Sequence, residues 1–384
     1  MLDPARYARQ LALPGFGAAE LAALGRARVL VIGAGGLGSV VLPQLVGAGV
    51  GAGPGGRIGI VDDDVVELSN LHRQTLHGEG DLGRRKVDSA AERLTALNAS
   101  TTIVRHAERF SRDTALALLA GYDLLVDGSD GFATRYLAAD AAVLARVPLV
   151  WGAVLQYDGQ VGVSPVGGPG YRDLFPQRPD PASVLDCATG GVLPSVCGVI
   201  GSIMAAQVVT LLTGIGESLI GRVTTYDARS GRFRELTYRH DPSAAPITAL
   251  PDDDAPGGDS PDGDSPGHDS PGHDDSGEAG TDELTAPQLA ELLAEAAPPL
   301  LLDVREPWEH DLAAIAGSQL LPLGQLADGI ADLPRDRRIV AYCHHGIRSR
   351  HALDLLRAAG LDAQHLVGGI DAWSVQVDPS IARY

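Results

Sequence analysis

Cysteine is scarce in this chain. Its 384 residues hold three, Cys187, Cys197 and Cys343, too few and too scattered for a disulfide framework. Unpaired thiols fit a reducing cytoplasm, where the protein is expected to reside. Positive charge is also short. Lys and Arg number 30 against 49 Asp and Glu, a formal net charge of −19, and a surface of that sign repels nucleic-acid phosphates. The deficit is concentrated in residues 251–280, which hold nine Asp and one Glu and no Lys or Arg. Without those ten charges the remainder carries −9. The opening MLDPARYARQ lacks the apolar segment of a secretory leader. No stretch reads as a membrane span, and the Ala- and Gly-rich helix expected over 195–213 is assigned to a buried core.

What is present suffices for two or three domains. Residues 28–163 alternate short apolar runs with helical patterns. RVLVI (28–32) and RIGIV (57–61) are strands, and 83–98 is a helix. TIVRHA, DLLVDGSD and PLVWGAV are further strands, separated by helical stretches. This βαβ rhythm predicts a doubly wound, mainly parallel sheet of Rossmann type. RVTTYD and RFRELTY form a hairpin around Ala228–Gly231. Past Arg239 the composition turns to Asp, Ser, Pro and Gly. Residues 246–281 hold too little apolar surface to offset the entropy of ordering, so they read as a disordered acidic tether. A flexible coil of 30 such residues spans roughly 30 Å. Its two histidines lack the rigid scaffold that a metal site needs. A second, smaller α/β unit follows, with strands at 300–304 and 338–342, a helix at 348–360 and a strand around QHLVG. The expected domains are 1–245, 246–281 and 282–384.

GAGGLG (33–38) stands after a strand and opens a helix, where glycines admit a phosphate to a helix N-terminus. A nicotinamide enzyme would use such a loop. The residues that follow favour a triphosphate. Asp62 ends the next strand, within reach of ribose hydroxyls. DDDVVELSNLHRQ then supplies Ser69, Asn70, Arg73 and Gln74, and GRRKVDSA supplies Lys86. An Arg and a Lys aimed past the ribose suit a departing pyrophosphate. Asp130, in DGSD, stands at another strand's carboxyl end, where a carboxylate can hold magnesium through water.

RYARQ (6–10), GAGGLG, the Asp62–Gln74 stretch, Lys86 and CATGGVL (187–193) together resemble the ThiF/MoeB/HesA group, the E1-like adenylyltransferases. The resemblance covers about residues 4–240. It implies a homodimer in which Arg9 enters the partner's nucleotide site. It also implies ATP contacts from Gly36, Asp62, Ser69, Asn70, Arg73, Gln74, Lys86, Asp130 and Gly131, with Asp130 near Mg2+. Two departures stand out. The group often binds a structural zinc with two C-x-x-C pairs. Here Gly170 and Asp173 occupy the first pair's positions, and the second falls near Ser243 and Pro246. Three cysteines cannot build that site, so no zinc is expected. Gly131 stands where the group commonly has Asn.

CHHGIRS (343–349) lies between a strand and a helix. Backbone N–H groups in such a turn, the helix N-terminus and Arg348 all favour a Cys343 thiolate. His344 and His345 read as polar loop residues. Protein phosphatases put five residues between Cys and Arg. Four make a smaller cradle, suited to a sulfane sulfur. With LLDVREPWEH (301–310) and GGIDAW (368–373), the loop resembles the rhodanese family over about 284–377, which implies a persulfide on Cys343. The two regions together resemble adenylyltransferase/sulfurtransferases of the MoeZ type.

The combined resemblance implies that ATP adenylates the C-terminal Gly-Gly of a small ubiquitin-like, β-grasp sulfur carrier. The Cys343 persulfide then attacks the acyl-adenylate, and Cys187 or an external thiol releases the thiocarboxylate. A cysteine desulfurase would be a suitable sulfur donor. Cys197 reads as helix core. Other classes remain open to test: a nicotinamide oxidoreductase, a non-catalytic scaffold for β-grasp proteins and a protein-conjugating enzyme. Molybdopterin, thiamine, cysteine and thio-tRNA synthesis are all compatible pathways.

Overall fold

The computed structural model describes residues 2–179, 190–251, 282–295 and 297–382. They fall into two compact units, Met1–Pro261 and Asp262–Tyr384. Most of the acidic tether, and Cys187, lie outside the described residues.

The first unit is built on eight strands: β1 (Arg28–Ile32), β2 (Arg57–Val61), β3 (Ile103–His106), β4 (Leu124–Asp127), β5 (Leu149–Leu155), β6 (Asp158–Ser164), β7 (Arg222–Asp227) and β8 (Arg232–Thr237). Their order is β3-β2-β1-β4-β5-β6-β7-β8. The first five in that order are parallel, and β5 to β8 continue antiparallel. The doubly wound sheet is therefore as expected, with β6 as an addition. DGQVGVS carries two glycines and little apolar content, so it does not announce a strand. The structure gives the reason for the glycines. A side chain at Gly159 would collide with Ile200, and one at Gly162 with the Trp151 ring.

Helices cover both faces, as a sheet buried on two sides requires. Ala18–Arg26, Gly38–Ala48 and Pro194–Thr213 pack on one face, with Leu42, Leu45, Ile200, Met204 and Val208 in the core. Arg112–Leu119 and Phe132–Ala145 pack on the other, with Trp151, Tyr136 and Tyr171. The helix Pro194–Thr213 is long and apolar enough to cross a membrane, at mean hydropathy 1.9. It nevertheless lies against Gly38–Ala48, β5 and β6, burying Val196, Cys197, Ile200 and Met204.

The second unit has a five-stranded parallel sheet of order β11-β10-β12-β13-β9. Its strands are β9 (Glu283–Leu284), β10 (Leu300–Asp303), β11 (Gln319–Leu320), β12 (Ile339–Tyr342) and β13 (Ala363–Leu366). The three longer strands were expected. Strands of two residues, β9 and β11, carry too few positions for any periodicity to register.

Candidate functional site

The glycine loop after β1 has the conformation its sequence demands. Gly33 has φ +88°, open to glycine without strain, and a side chain on Gly38 would collide with the Gly33 carbonyl. Asp62 ends β2 and takes the Ala34 N–H at 2.7 Å on one oxygen and the Asp64 N–H at 2.9 Å on the other. Burial pushes the Asp62 carboxyl up to about 6, against the pull of Lys86 and the two backbone donors.

Lys86 opens the helix Lys86–Leu97. Its side chain is buried, and its ammonium donates to exposed Asp64 at 2.6 Å. A short turn, Leu68–Asn70, presents the polar run. Arg73 donates to the Ser69 carbonyl at 3.3 Å and to Asn70 Oδ1 at 3.0 Å, while Asn70 donates to Glu67 at 3.1 Å. The Arg73 stem lies beside Gly36, and the buried Gln74 amide lies over Gly35. Asp62, Arg73 and Gln74, read separately from the sequence, thus meet at the loop that carries Gly36, and Lys86 stands beside Asp62 and Asp64. Gly33 also touches Gly128, so the turn carrying Asp130 and Gly131 abuts it. Asp130 is exposed there, and Arg135 donates to its carbonyl at 3.2 Å. Among the described residues, the acidic cluster close enough to share an ion is Asp62, Asp63 and Asp64, which does not include Asp130.

Sequence reasoning missed His77. It is buried with Nε2 2.9 Å from the Ala34 carbonyl and Nδ1 2.9 Å from Ser89 Oγ. A carbonyl only accepts, so Nε2 carries the hydrogen and Nδ1 accepts from Ser89. Burial pushes the imidazole below its ordinary range, so a neutral ring braces the loop from behind. Cys197 is buried as expected, but it is more than filler, because its sulfur packs directly beneath Gly36. Burial pushes its thiol up.

Arg9 sits on the short helix Ala8–Leu11, exposed, with no hydrogen bond or ion pair among the described residues. Its neighbour Tyr7 is buried against Gly49 and accepts a hydrogen bond from Asn98 at 3.0 Å, which anchors the segment. The two stretches where the sequence resemblance places a zinc site are joined by a carboxylate. Asp173 takes the Gly170 N–H at 2.7 Å, the Asp241 N–H at 2.9 Å and His240 Nδ1 at 3.2 Å. Burial opposes the ionised form of Asp173, but these donors outweigh it and hold the carboxyl below its usual range. Asp241 in turn accepts from Ser243 at 2.6 Å.

In the second unit Cys343 ends β12, almost fully buried, and takes the Gly346 N–H at 3.1 Å. Gly346 has φ +101°, a left-handed position. The helix Gly369–Gln376 closes the loop from the side. Ile370 donates to the Cys343 carbonyl at 2.8 Å and Asp371 to the His344 carbonyl at 3.2 Å. The side chains of His344 and His345 stack at 3.9 Å, and burial followed by His345 pushes His344 down to about 4.

One expectation needs correction. Arg348 was expected to lend the cradle a full charge. Instead its guanidinium is clamped by Glu309 through two bonds of 2.6 Å. Burial would raise the Glu309 carboxyl, but Arg348 and the Glu306 N–H hold it below its usual range. Glu309 lies 39 residues from its partner; the only sequence signal was its place in PWEH.

The ThiF family model matches residues 7–246, and that of the rhodanese-like domain matches residues 285–376. The probable adenylyltransferase/sulfurtransferase MoeZ of Mycobacterium tuberculosis is 43% identical over 390 residues, 100% of this chain and 95% of its own. The adenylyltransferase and sulfurtransferase MOCS3 of Mus musculus is 36% identical, over 99% of this chain and 87% of its own. Among solved structures, E. coli MccB with ATP superposes at a TM-score of 0.54 with 22% identity, over 62% of this chain and 73% of that one. That last likeness is one of fold.

Proposed function

The chain belongs to the ThiF family and carries a rhodanese-like domain, and from that premise we propose how its two chemistries act on one substrate. It is an enzyme with adenylyltransferase and sulfurtransferase activities. Its substrate in this reading is the C-terminal glycine of a small β-grasp sulfur carrier. Residues 1–245 adenylate that carboxylate, and residues 282–384 deliver sulfur to it, on either side of a tether at 246–281.

The carboxylate attacks the α-phosphorus of ATP, and pyrophosphate leaves. The observation that carries this reading is the meeting of Asp62, Arg73 and Gln74 at the loop Gly33–Gly38, with Lys86 held beside Asp62 by Asp64. Asp62 organises the loop and keeps lone pairs for ribose hydroxyls. Asp64 holds the Lys86 ammonium in place until polyphosphate oxygens replace it. Arg73 meets the leaving pyrophosphate, with Ser69 and Asn70 fixing its guanidinium. Arg9, exposed and uncommitted, crosses to the partner's site in a homodimer. The exposed Asp130 carboxylate, a hard oxygen donor at the sheet's carboxyl edge, suits Mg2+, which would neutralise phosphate charge. Gly131 sets only backbone against the nucleotide.

Sulfur transfer follows. A donor such as a cysteine desulfurase leaves a persulfide on Cys343. Its terminal sulfur attacks the acyl-adenylate and AMP departs, which gives an acyl disulfide. A thiol, from Cys187 or from outside, then attacks the Cys343 sulfur and releases the thiocarboxylate. A reducing cytoplasm supplies such thiols.

The test is carrier-dependent ATP–pyrophosphate exchange, with the carrier weighed for sulfur in place of oxygen. Arg73→Ala and Lys86→Ala should each lower exchange by about 100-fold or more while the protein stays folded. Wild-type exchange in both variants would sink the assignment.

A further inference from the structure

The geometry points to a proton path behind Cys343, made by Ser349, His365 and Glu283. It rests on the reading that Cys343 is the sulfur-carrying residue, and it adds what that residue needs, a destination for the thiol proton.

Four side chains from four segments line up. Ser349 is fully buried on the helix Ile347–Ala358, with its Oγ 3.7 Å from Cys343 Sγ. The same Oγ donates to the Gly346 carbonyl at 3.0 Å and lies 3.4 Å from His365 Nδ1. His365 is on β13 and only 4% exposed. Its Nε2 faces Glu283 Oε1 at 3.7 Å, with no hydrogen-bond partner closer. The β13–β9 register sets His365 opposite Glu283. Arg350 in turn pairs with Glu283.

At 3.7 Å the Nε2–Glu283 contact is electrostatic, not a hydrogen bond. The tautomer with its hydrogen on Nε2 turns a positive edge to that carboxylate and leaves the Nδ1 lone pair for Ser349. Arg348, at the far end of the Cys343 loop, is matched by Glu309. The groups that face His365 are Glu283 from β9, Arg350 and Asp354 from the helix Ile347–Ala358, and Cys343 through Ser349. Burial, then Arg350, push the imidazole below its ordinary range against Glu283 and Asp354. The ring is therefore neutral at pH 7 and free to accept.

The step moves one proton and no electrons. The Ser349 hydroxyl first turns its one hydrogen from the Gly346 carbonyl to His365 Nδ1. The Cys343 S–H bond then breaks and its proton passes to Ser349 Oγ, while the Ser349 hydroxyl proton passes to His365 Nδ1. A thiolate and an imidazolium result. Ser349 then donates to the thiolate, and Glu283 faces the imidazolium. Ser349 and His365 are positioning residues that act on sulfur transfer through the state of Cys343.

The test is the pH profile of iodoacetamide alkylation at Cys343, followed by peptide mass on the full chain. His365→Gln should move the midpoint up by about one pH unit, lowering the rate at pH 6.5 by about tenfold with the alkaline plateau unchanged. A purely structural role would lower the plateau and leave the midpoint in place. A wild-type midpoint overturns the path. If His365→Gln loses the plateau as well, Glu283→Gln decides: a raised midpoint supports the path and a wild-type midpoint overturns it. Alkylation reads the thiol itself, so the result stands whether or not Cys343 proves to carry sulfur, which the carrier's mass decides separately.

Discussion

At Asp62 the fold buries a carboxylate beside the glycine loop. Its pKa rises from 3.8 to about 6 because burial outweighs Lys86 and the backbone donors. The sign follows from linkage. The protonated form is the one that folding favours, so the contribution to stability is present below pH 3.8 and is lost as pH rises through about 6. Activity runs the other way, because only the ionised group accepts from both Ala34 and Asp64. Pyrophosphate exchange should therefore fall below about pH 6, by about tenfold per unit. Asp62→Asn should flatten that limb at a lower plateau. An acid limb that survives in Asp62→Asn would assign it to another group. Asp62 was legible in the sequence, because a carboxylate at a strand end after a glycine loop has few other reasons to be there. His77, Glu309 and His365 were not. Each acts on a partner set by tertiary packing, His77 on a carbonyl 43 residues away and Glu309 on an Arg 39 residues away, and no local pattern encodes such distances.

Among the elements, the parallel strands and the loop-to-helix turns were legible because hydrophobic runs and glycines signal them locally. β6 was hidden because its glycines answer to Trp151 and Ile200 on other elements. The segment from Arg239 to Leu250 is a similar case. Composition there suggests a disordered tether from residue 246 on, yet Asp173 pins the segment's start through His240 and the Asp241 N–H, and Leu250 is buried. The carboxylate spans the two stretches where the sequence resemblance implies two Cys pairs around a zinc. Asp173→Ala should lower the thermal midpoint, with a loss of about 2 kcal/mol for a partly buried acceptor serving several donors. The wild-type midpoint should not move after dialysis against a chelator. A stoichiometric zinc that survives dialysis, or a chelator-induced drop, would overturn the staple as the sole fastening.

For the whole molecule, each unit has its own core and its own reactive loop. The chemistry should therefore separate cleanly. Cys343→Ala should abolish thiocarboxylate formation and leave pyrophosphate exchange at the wild-type rate. Separately expressed 1–245 and 282–384 should restore the overall reaction only at concentrations approaching the millimolar value that a tether of this length supplies. Full thiocarboxylate yield from Cys343→Ala, with persulfide as the sole sulfur source, would refute the relay.

The helix Pro194–Thr213 has a consequence for synthesis on the ribosome. Its 20 residues carry the hydropathy of a membrane segment, so a nascent chain that left it bare would present a sticky, insertable stretch. The elements it packs against most closely, Ala18–Arg26, Gly38–Ala48, β5 and β6, all precede it. They have left the exit tunnel by the time the helix emerges. The chain order thus gives its most apolar segment a finished surface to land on, before targeting machinery or aggregation can compete for it.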